Sequence, residues 1–169
     1  DSIEVIGRSA VGNREPSSIT AETQGRQNAG NLTIQTGELS IKDGAEINSS
    51  SIGGGSGGNT DLVAESINLE QGNIISQTAS GDGGNITINL EDFLVLRDRS
   101  TISSTAGTDG AGGDGGNITI NAENGFIVAA PNENSDITAN AFSGRGGRVD
   151  IEAAGIFGIA HRSREDLVD

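Results

Sequence analysis

The feature that most constrains this chain is a five-residue phrase that returns five times. It reads Gly30-Asn31-Leu32-Thr33-Ile34, Gly58-Asn59-Thr60-Asp61-Leu62, Gly84-Asn85-Ile86-Thr87-Ile88 and Gly116-Asn117-Ile118-Thr119-Ile120, with a degenerate copy at Gly147-Arg148-Val149-Asp150-Ile151. Counted at the second residue, successive copies lie 28, 26, 32 and 31 residues apart. Self-similarity at such a period marks a chain of stacked units, none of which can bury its apolar face alone.

Each copy carries three short segments in the same order, and alternation assigns their faces. After Gly84 the inward pairs are Ile86/Ile88, Leu94/Leu96 and Ile102/Ser104; after Gly30 they are Leu32/Ile34, Leu39/Ile41 and Ile47/Ser49. The copy from Gly58 gives Thr60/Leu62, Ile67/Leu69 and Ile75/Gln77, and that from Gly116 gives Ile118/Ile120, Phe126/Val128 and Ile137/Ala139. Ahead of the first full copy, Ile3/Val5 and Ile19/Ala21 read as the last two segments of a partial one. Isoleucine supplies 20 of the 39 Ile, Leu, Val and Phe residues, and β-branched side chains fit strands better than helices. Those 39 are 23% of the 169 residues, above the ~20% below which a charged chain stays unfolded. No i, i+3, i+4 stripe supports a helix.

The expected fold is therefore all-β: a right-handed parallel β-helix of about five to six coils, each with three short strands. Residues 1–160 form the repeat segment, and 161–169 a charged C-terminal tail or cap, in which Ser163–Val168 forms one short helix or a fraying end. Leu32, Ile34, Ile86, Ile88, Ile118, Ile120, Val149 and Ile151 are the expected core ladder. Asn31, Asn59, Asn85 and Asn117 are the expected turn ladder, with left-handed φ or stacked amides as the reason for asparagine and positive φ as the reason for the glycines before it. Length variation falls outside the strands, at Ser76–Gly83, Ala106–Gly115 and the excursion Gly7–Glu15. A sandwich also alternates, but its strands follow one another at roughly 8 to 12 residues without a long-range phrase.

The phrases "GNLTIQTGELSIKDGAEINSSSIGGGSGGN" and "GGNITINLEDFLVLRDRSTISSTAGTDGAGGDGGNITIN", with "DSIEVIG", "NSDITANAFSGRGG" and "GIFGIAHR", resemble the repeat region of filamentous haemagglutinin-like exoproteins of two-partner secretion, in their cyanobacterial form. The resemblance covers essentially residues 1 to 160. It implies a right-handed β-helical fibre at or shed from the cell surface, with adhesion or matrix building as its role, and neighbouring coils of a parent exoprotein as its partners. That family's Asn-Pro-x-Leu secretion motif is not in this sequence, so the resemblance implies an interior or C-terminal piece of a longer exoprotein.

Composition narrows the chemistry. Ten Lys and Arg against 24 Asp and Glu leave a formal charge of −14, which repels nucleic-acid phosphate and keeps an extended rod soluble. Cysteine and methionine are absent, which suits transit through an oxidising compartment. No apolar run reaches the ~20 residues of a membrane-spanning helix. On the first segment the outward positions are Thr33, Asp61, Thr87, Thr119 and Asp150; on the second they include Glu4, Ser40, Asn68, Val95 and Ile127. They align no acids with a neighbouring base, so no catalytic, cofactor or metal residue is assigned and no enzyme is expected. Asp82, Asp109 and Asp114 lie in glycine-rich loops, where calcium is conceivable but a solvated loop is the plainer reading. The glycine strings at 53–58 and 111–116 lack the Lys-Ser/Thr ending of a phosphate loop, and His161 is a lone surface histidine.

Sugar recognition wants aromatic platforms. Phe126 and Phe157 read as core, while Phe93 and Phe142 lie beside inward positions and are free for exposure or for packing under a loop. The expected function is thus extension and display in a secreted or surface fibre. A polysaccharide-binding module using projecting loops is the alternative, and a polysaccharide-active enzyme the third reading. A coil left uncovered at either end offers unpaired N–H and C=O groups, so end-to-end association with other copies is expected unless the ends are capped.

Overall fold

The computed structural model describes residues 1–10, 12 and 14–161; the sequence-based expectation for Ser163–Val168 lies outside them. Among the described residues the chain is all-β and winds as a parallel solenoid of about five turns. The elements are β1 (Ser2–Ile6), β2 (Ser18–Thr20), β3 (Leu32–Gln35), β4 (Glu38–Lys42), β5 (Glu46–Asn48), β6 (Thr60–Glu70), β7 (Asn73–Ile75), β8 (Ile86–Arg97), β9 (Thr101–Ser103), β10 (Ile118–Ala129), β11 (Asp136–Thr138) and β12 (Val149–Phe157). A seven-stranded sheet runs β1-β4-β6-β8-β10-β12 with β3 also on β6, and a five-stranded sheet runs β11-β9-β7-β5-β2. All named pairs are parallel, which requires one strand layer per turn rather than hairpins.

The first two segments of a coil, expected as separate strands, are separate only where β3 meets β4. In later coils they fuse into one strand that bends at a register shift. Between the column of Val63, Asn89, Asn121 and Glu152 and that of Ser66, Phe93, Phe126 and Gly155, the bend holds two residues in β6, three in β8, four in β10 and two again in β12. A bulge absorbs each extra residue by local twist, so the ladders on either side stay in register.

The phrase copies stack as the sequence predicts: Leu32, Thr60, Ile86, Ile118 and Val149 lie in one column, and Ile34, Leu62, Ile88, Ile120 and Ile151 in the next. Ile86, Ile88, Ile118 and Ile120 are fully buried and Ile34 nearly so. Burying such side chains stabilises by about 1.5–3 kcal/mol each, and their vertical contact is what the coil backbone alone cannot supply. Leu32 and Ile151 are only half-buried, and Val149, expected in the core, is 39% exposed. These three lie in the outermost coils, where among the described residues no further turn covers them. Ile3, Val5 and Ile19 pack on the core from the partial first coil, pairing with Leu39, Ile41 and Ile47.

Two alternations are shifted by one residue from the sequence reading. In β10 it is Ile127 and Ala129 that turn inward, with Phe126 and Val128 outside; in β7 and the residue after it, Ile74 and Ser76 turn inward, with Ile75 and Gln77 outside. In both places apolar residues are adjacent, so alternation alone does not choose the face, and stacking on the coil below does.

Candidate functional site

The asparagine phrase is a ladder of a specific kind. Asn31 Oδ1 accepts the Asn59 N–H at 2.9 Å, Asn59 Oδ1 the Asn85 N–H at 2.9 Å, and Asn85 Oδ1 the Asn117 N–H at 2.9 Å. Asn117 Oδ1 then takes the Arg148 N–H at 2.9 Å. Each carboxamide thus pairs the backbone donor one coil above. Side-chain amides meet directly at Asn85 and Asn59 (3.3 Å), and again at Asn121 and Asn89 (2.8 Å). None of the phrase asparagines has positive φ, so of the two reasons expected for asparagine the left-handed backbone does not apply and the amide ladder does; left-handed backbone sits elsewhere, at Asp43, Gln71, Asp98, Arg99 and Asn134 among others.

Nor do the phrase glycines have positive φ. They are glycine because the stack leaves no room: a Cβ on Gly58 would lie 2.0 Å from the Gly30 carbonyl oxygen, on Gly84 2.0 Å from that of Gly58, and on Gly116 2.2 Å from that of Gly84. The small residues opposite them are hydroxyl donors. Ser49 and Ser76 Oγ donate to the Gly58 carbonyl at 2.9 and 2.8 Å, and Ser104 Oγ to that of Gly84 at 2.7 Å. Serine at the second inward place of the third segment therefore satisfies a carbonyl buried across a thin interior, where an unpaired group would cost about 1–3 kcal/mol.

The loop carboxylates serve the same stack. Asp82 Oδ1 accepts the Asp114 N–H at 2.9 Å, and Asp114 Oδ1 the Arg145 N–H at 2.8 Å. Among the described residues no three His, Cys, Asp or Glu side chains gather as a metal centre requires. One ion pair is a built clamp: Glu133, in the loop after β10, receives Arg97 Nε at 2.6 Å, Arg97 Nη2 at 2.8 Å and the Asp98 N–H at 3.0 Å. These bonds hold its carboxyl at about 2, below the ordinary 4.5, and raise the Arg97 pKa in turn.

Two surfaces remain for recognition. The first is an open groove of about 1100 Å³ along the bend between the two segments. Gln35, Asn89 and Asn121 give it amides, and Glu65, Glu91, Asp92 and Glu123 give it carboxylates. The second is aromatic. Phe93 and Phe126 stack in register on the outside of β8 and β10, 45% and 46% exposed, and the Phe157 ring lies 6.2 Å from that of Phe126 at 37°. Val128, also exposed, continues the strip beside Val95. Phe126 and Phe157, expected in the core, are thus outside: the inward turn of Ile127 sends Phe126 out, and Phe157 continues the outward column of Val128. Phe93 is exposed, as the sequence allowed. Phe142 stands apart at 72% exposed, its ring over the turn at Gly110. The groove and strip adjoin at β8, where Asp92 of the groove immediately precedes Phe93.

Of the outward positions, Thr33, Asp61, Thr87, Thr119 and Asp150 form one column as expected. On the second segment Val128, not Ile127, continues the column of Glu4, Ser40, Asn68 and Val95. The groove was not legible from sequence, because it forms at the bulges. No protein-family model, curated protein or solved structure matches the chain.

Proposed function

We propose that this chain is a structural segment of a secreted or cell-surface β-helical fibre of the filamentous haemagglutinin-like type, with extension and display as its biochemical work. The observation that carries this reading is where the repeated residues are spent. Phrase asparagines, glycines and serines all serve one coil's attachment to the next, through the bonds at Asn59, Asn85 and Asn117 and the close approaches at Gly58, Gly84 and Gly116. A repeat selected for a reaction would instead concentrate side chains at one point. Antibodies raised against the chain should label intact cells of the producing organism, or its medium; labelling only after the cells are opened would overturn the surface assignment.

A second reading has its own observation. The aromatic strip of Phe93, Phe126 and Phe157 beside an amide-lined groove suits the apolar face and the hydroxyls of a neutral glycan chain, while the carboxylates disfavour acidic polysaccharide. A glycan array should then give signals that disappear when Phe93 and Phe126 are both replaced by Ser. An array with no retained sugar leaves the scaffold reading alone, and turnover of any polysaccharide would favour the enzyme reading over both.

A further inference from the structure

The bend in β10 is chemically unlike the other bends of its sheet. Between the flanking columns β6 holds Ala64 and Glu65, β8 holds Leu90, Glu91 and Asp92, and β12 holds Ala153 and Ala154. β10 holds Ala122, Glu123, Asn124 and Gly125, and its last two residues are the one Asn-Gly pair in the chain. Glycine there is a demand of the stack: a Cβ on Gly125 would lie 2.6 Å from the Asp92 carbonyl oxygen and 2.9 Å from that of Glu91, in the coil beside it. The winding thus sets the least hindered backbone nitrogen directly after an asparagine.

Three further properties make this pair reactive. Asn124 is exposed on the wall of the groove, so water reaches it. Among the described residues its carboxamide makes no hydrogen bond. By contrast, Oδ1 of Asn31, Asn59, Asn85 and Asn117 each accepts a backbone N–H, and Asn121 is tied to Asn89. Glu123, Asn124 and Gly125 also fall between the two registers, with no partner residue in β8 or β12, and residues left out of a ladder escape the pairing that fixes their neighbours. The phrase asparagines are protected twice, by their bonds and by the branched side chains of Leu32, Thr60, Ile86 and Ile118, which crowd the next nitrogen.

We propose that Asn124 deamidates spontaneously in the folded chain, converting a groove amide into a carboxylate. The Gly125 nitrogen attacks Asn124 Cγ: the N–Cγ bond forms, the Cγ–Nδ2 bond breaks, and Nδ2 leaves as ammonia with the proton that the Gly125 nitrogen gave up. Water then opens the resulting succinimide, at Cγ to give an aspartyl residue or at the main-chain carbonyl to give an isoaspartyl one. One water is consumed and one ammonia released, and no oxidant, metal or enzyme takes part. The new carboxylate joins Glu65, Glu91, Asp92 and Glu123 around the groove, and the formal charge moves from −14 to −14 − 1 = −15. An isoaspartyl product adds one methylene to a backbone that is already out of register there, so the ladders at Asn121 and Phe126 keep their places. The groove therefore gains charge in one direction only, as each copy of the chain ages.

Peptide mapping by mass spectrometry of the whole chain, aged warm in neutral buffer, tests this. Position 124 should gain aspartate and isoaspartate, the latter detected with an isoaspartyl-specific methyltransferase, as ammonia is released and the circular dichroism spectrum holds. The rate should lie within about tenfold of that in unfolding urea, because the bend reacts without opening the stack. Asn124→Gln, which needs a larger ring, should remove that ammonia, while Asn124→Asp should still form the isoaspartyl product through the same ring. A folded chain that keeps Asn124 intact while the unfolded chain reacts overturns the proposal. So does loss of ammonia from Asn31, Asn59, Asn85 or Asn117 as fast as from Asn124, since the bend would then confer nothing.

Discussion

The outside of the second segment divides into two regions that share a backbone and differ in chemistry. In the early coils its column reads Glu4, Ser40, Asn68, of which Ser40 is buried, with Lys42 Nζ 3.3 Å from Glu4. In the later coils the same column becomes Val95, Val128, Phe157, and the column beside it passes from Ser66 to Phe93 and Phe126. Inward, nothing changes: Leu39, Ile67, Leu94 and Ile127 are all 0% exposed. Strand pairing crosses from the polar to the aromatic region without a break. The difference teaches that this fold is specified from within, and that its exterior can be altered locally without disturbing the stack.

The most forceful way to break that comparison is in the interior. Ile67→Ala and Ile127→Ala should each cost about 2–5 kcal/mol, and by similar amounts, in urea unfolding of the purified chain; a trivial loss at either site would mean that the regions do not share one core. Gly84→Ala comes next, since its Cβ would meet the Gly58 carbonyl oxygen at 2.0 Å, and overpacking of this sort costs about 1–3 kcal/mol. A midpoint unmoved by Gly84→Ala would show that the coils can part there without penalty.

A smaller effect sharpens the contrast, because the Arg97–Glu133 clamp belongs to the later coils alone. Folding lowers the Glu133 pKa from 4.5 to about 2, so its contribution is full above about pH 4.5 and is lost as pH falls toward about 2. Thermal midpoints of the native chain and Glu133→Gln should differ at pH 6 and converge near pH 2. A gap that stays constant across that range would assign the loss to shape, not charge. Least of all should change when Phe93 and Phe126 both become Ser: stability should hold to within about 0.5 kcal/mol, and a larger fall would make the aromatic strip part of the framework.

The repeat, the parallel stacking and most core positions were legible because they are written as a period. Ile86, Ile88, Ile118 and Ile120 are flanked by polar residues, so alternation fixes their face. Legibility failed where neighbours are equally apolar. Phe126-Ile127-Val128 and Ile74-Ile75 admit either phase, and the coil beneath decides by placing Leu94 under Ile127 and Ile47 under Ile74. That error removed two of the three aromatics from the candidate surface. The role of the phrase glycines was missed for a different reason: backbone approach between coils leaves no mark in one coil's own pattern. The groove at Glu65, Asn89 and Asn121 arises from bulges of unequal length, which the variable spacing of the phrases conceals.

The close contacts of Gly58, Gly84 and Gly116 also govern how such a chain can change over generations. Each of these positions is dictated by the turn beneath it and dictates the turn above, so a single-letter edit is punished on both sides. Copying a whole winding is not, because the new turn brings its own matched neighbours. Growth by duplication of complete turns is therefore the path of least resistance, and length becomes the trait that drifts most freely.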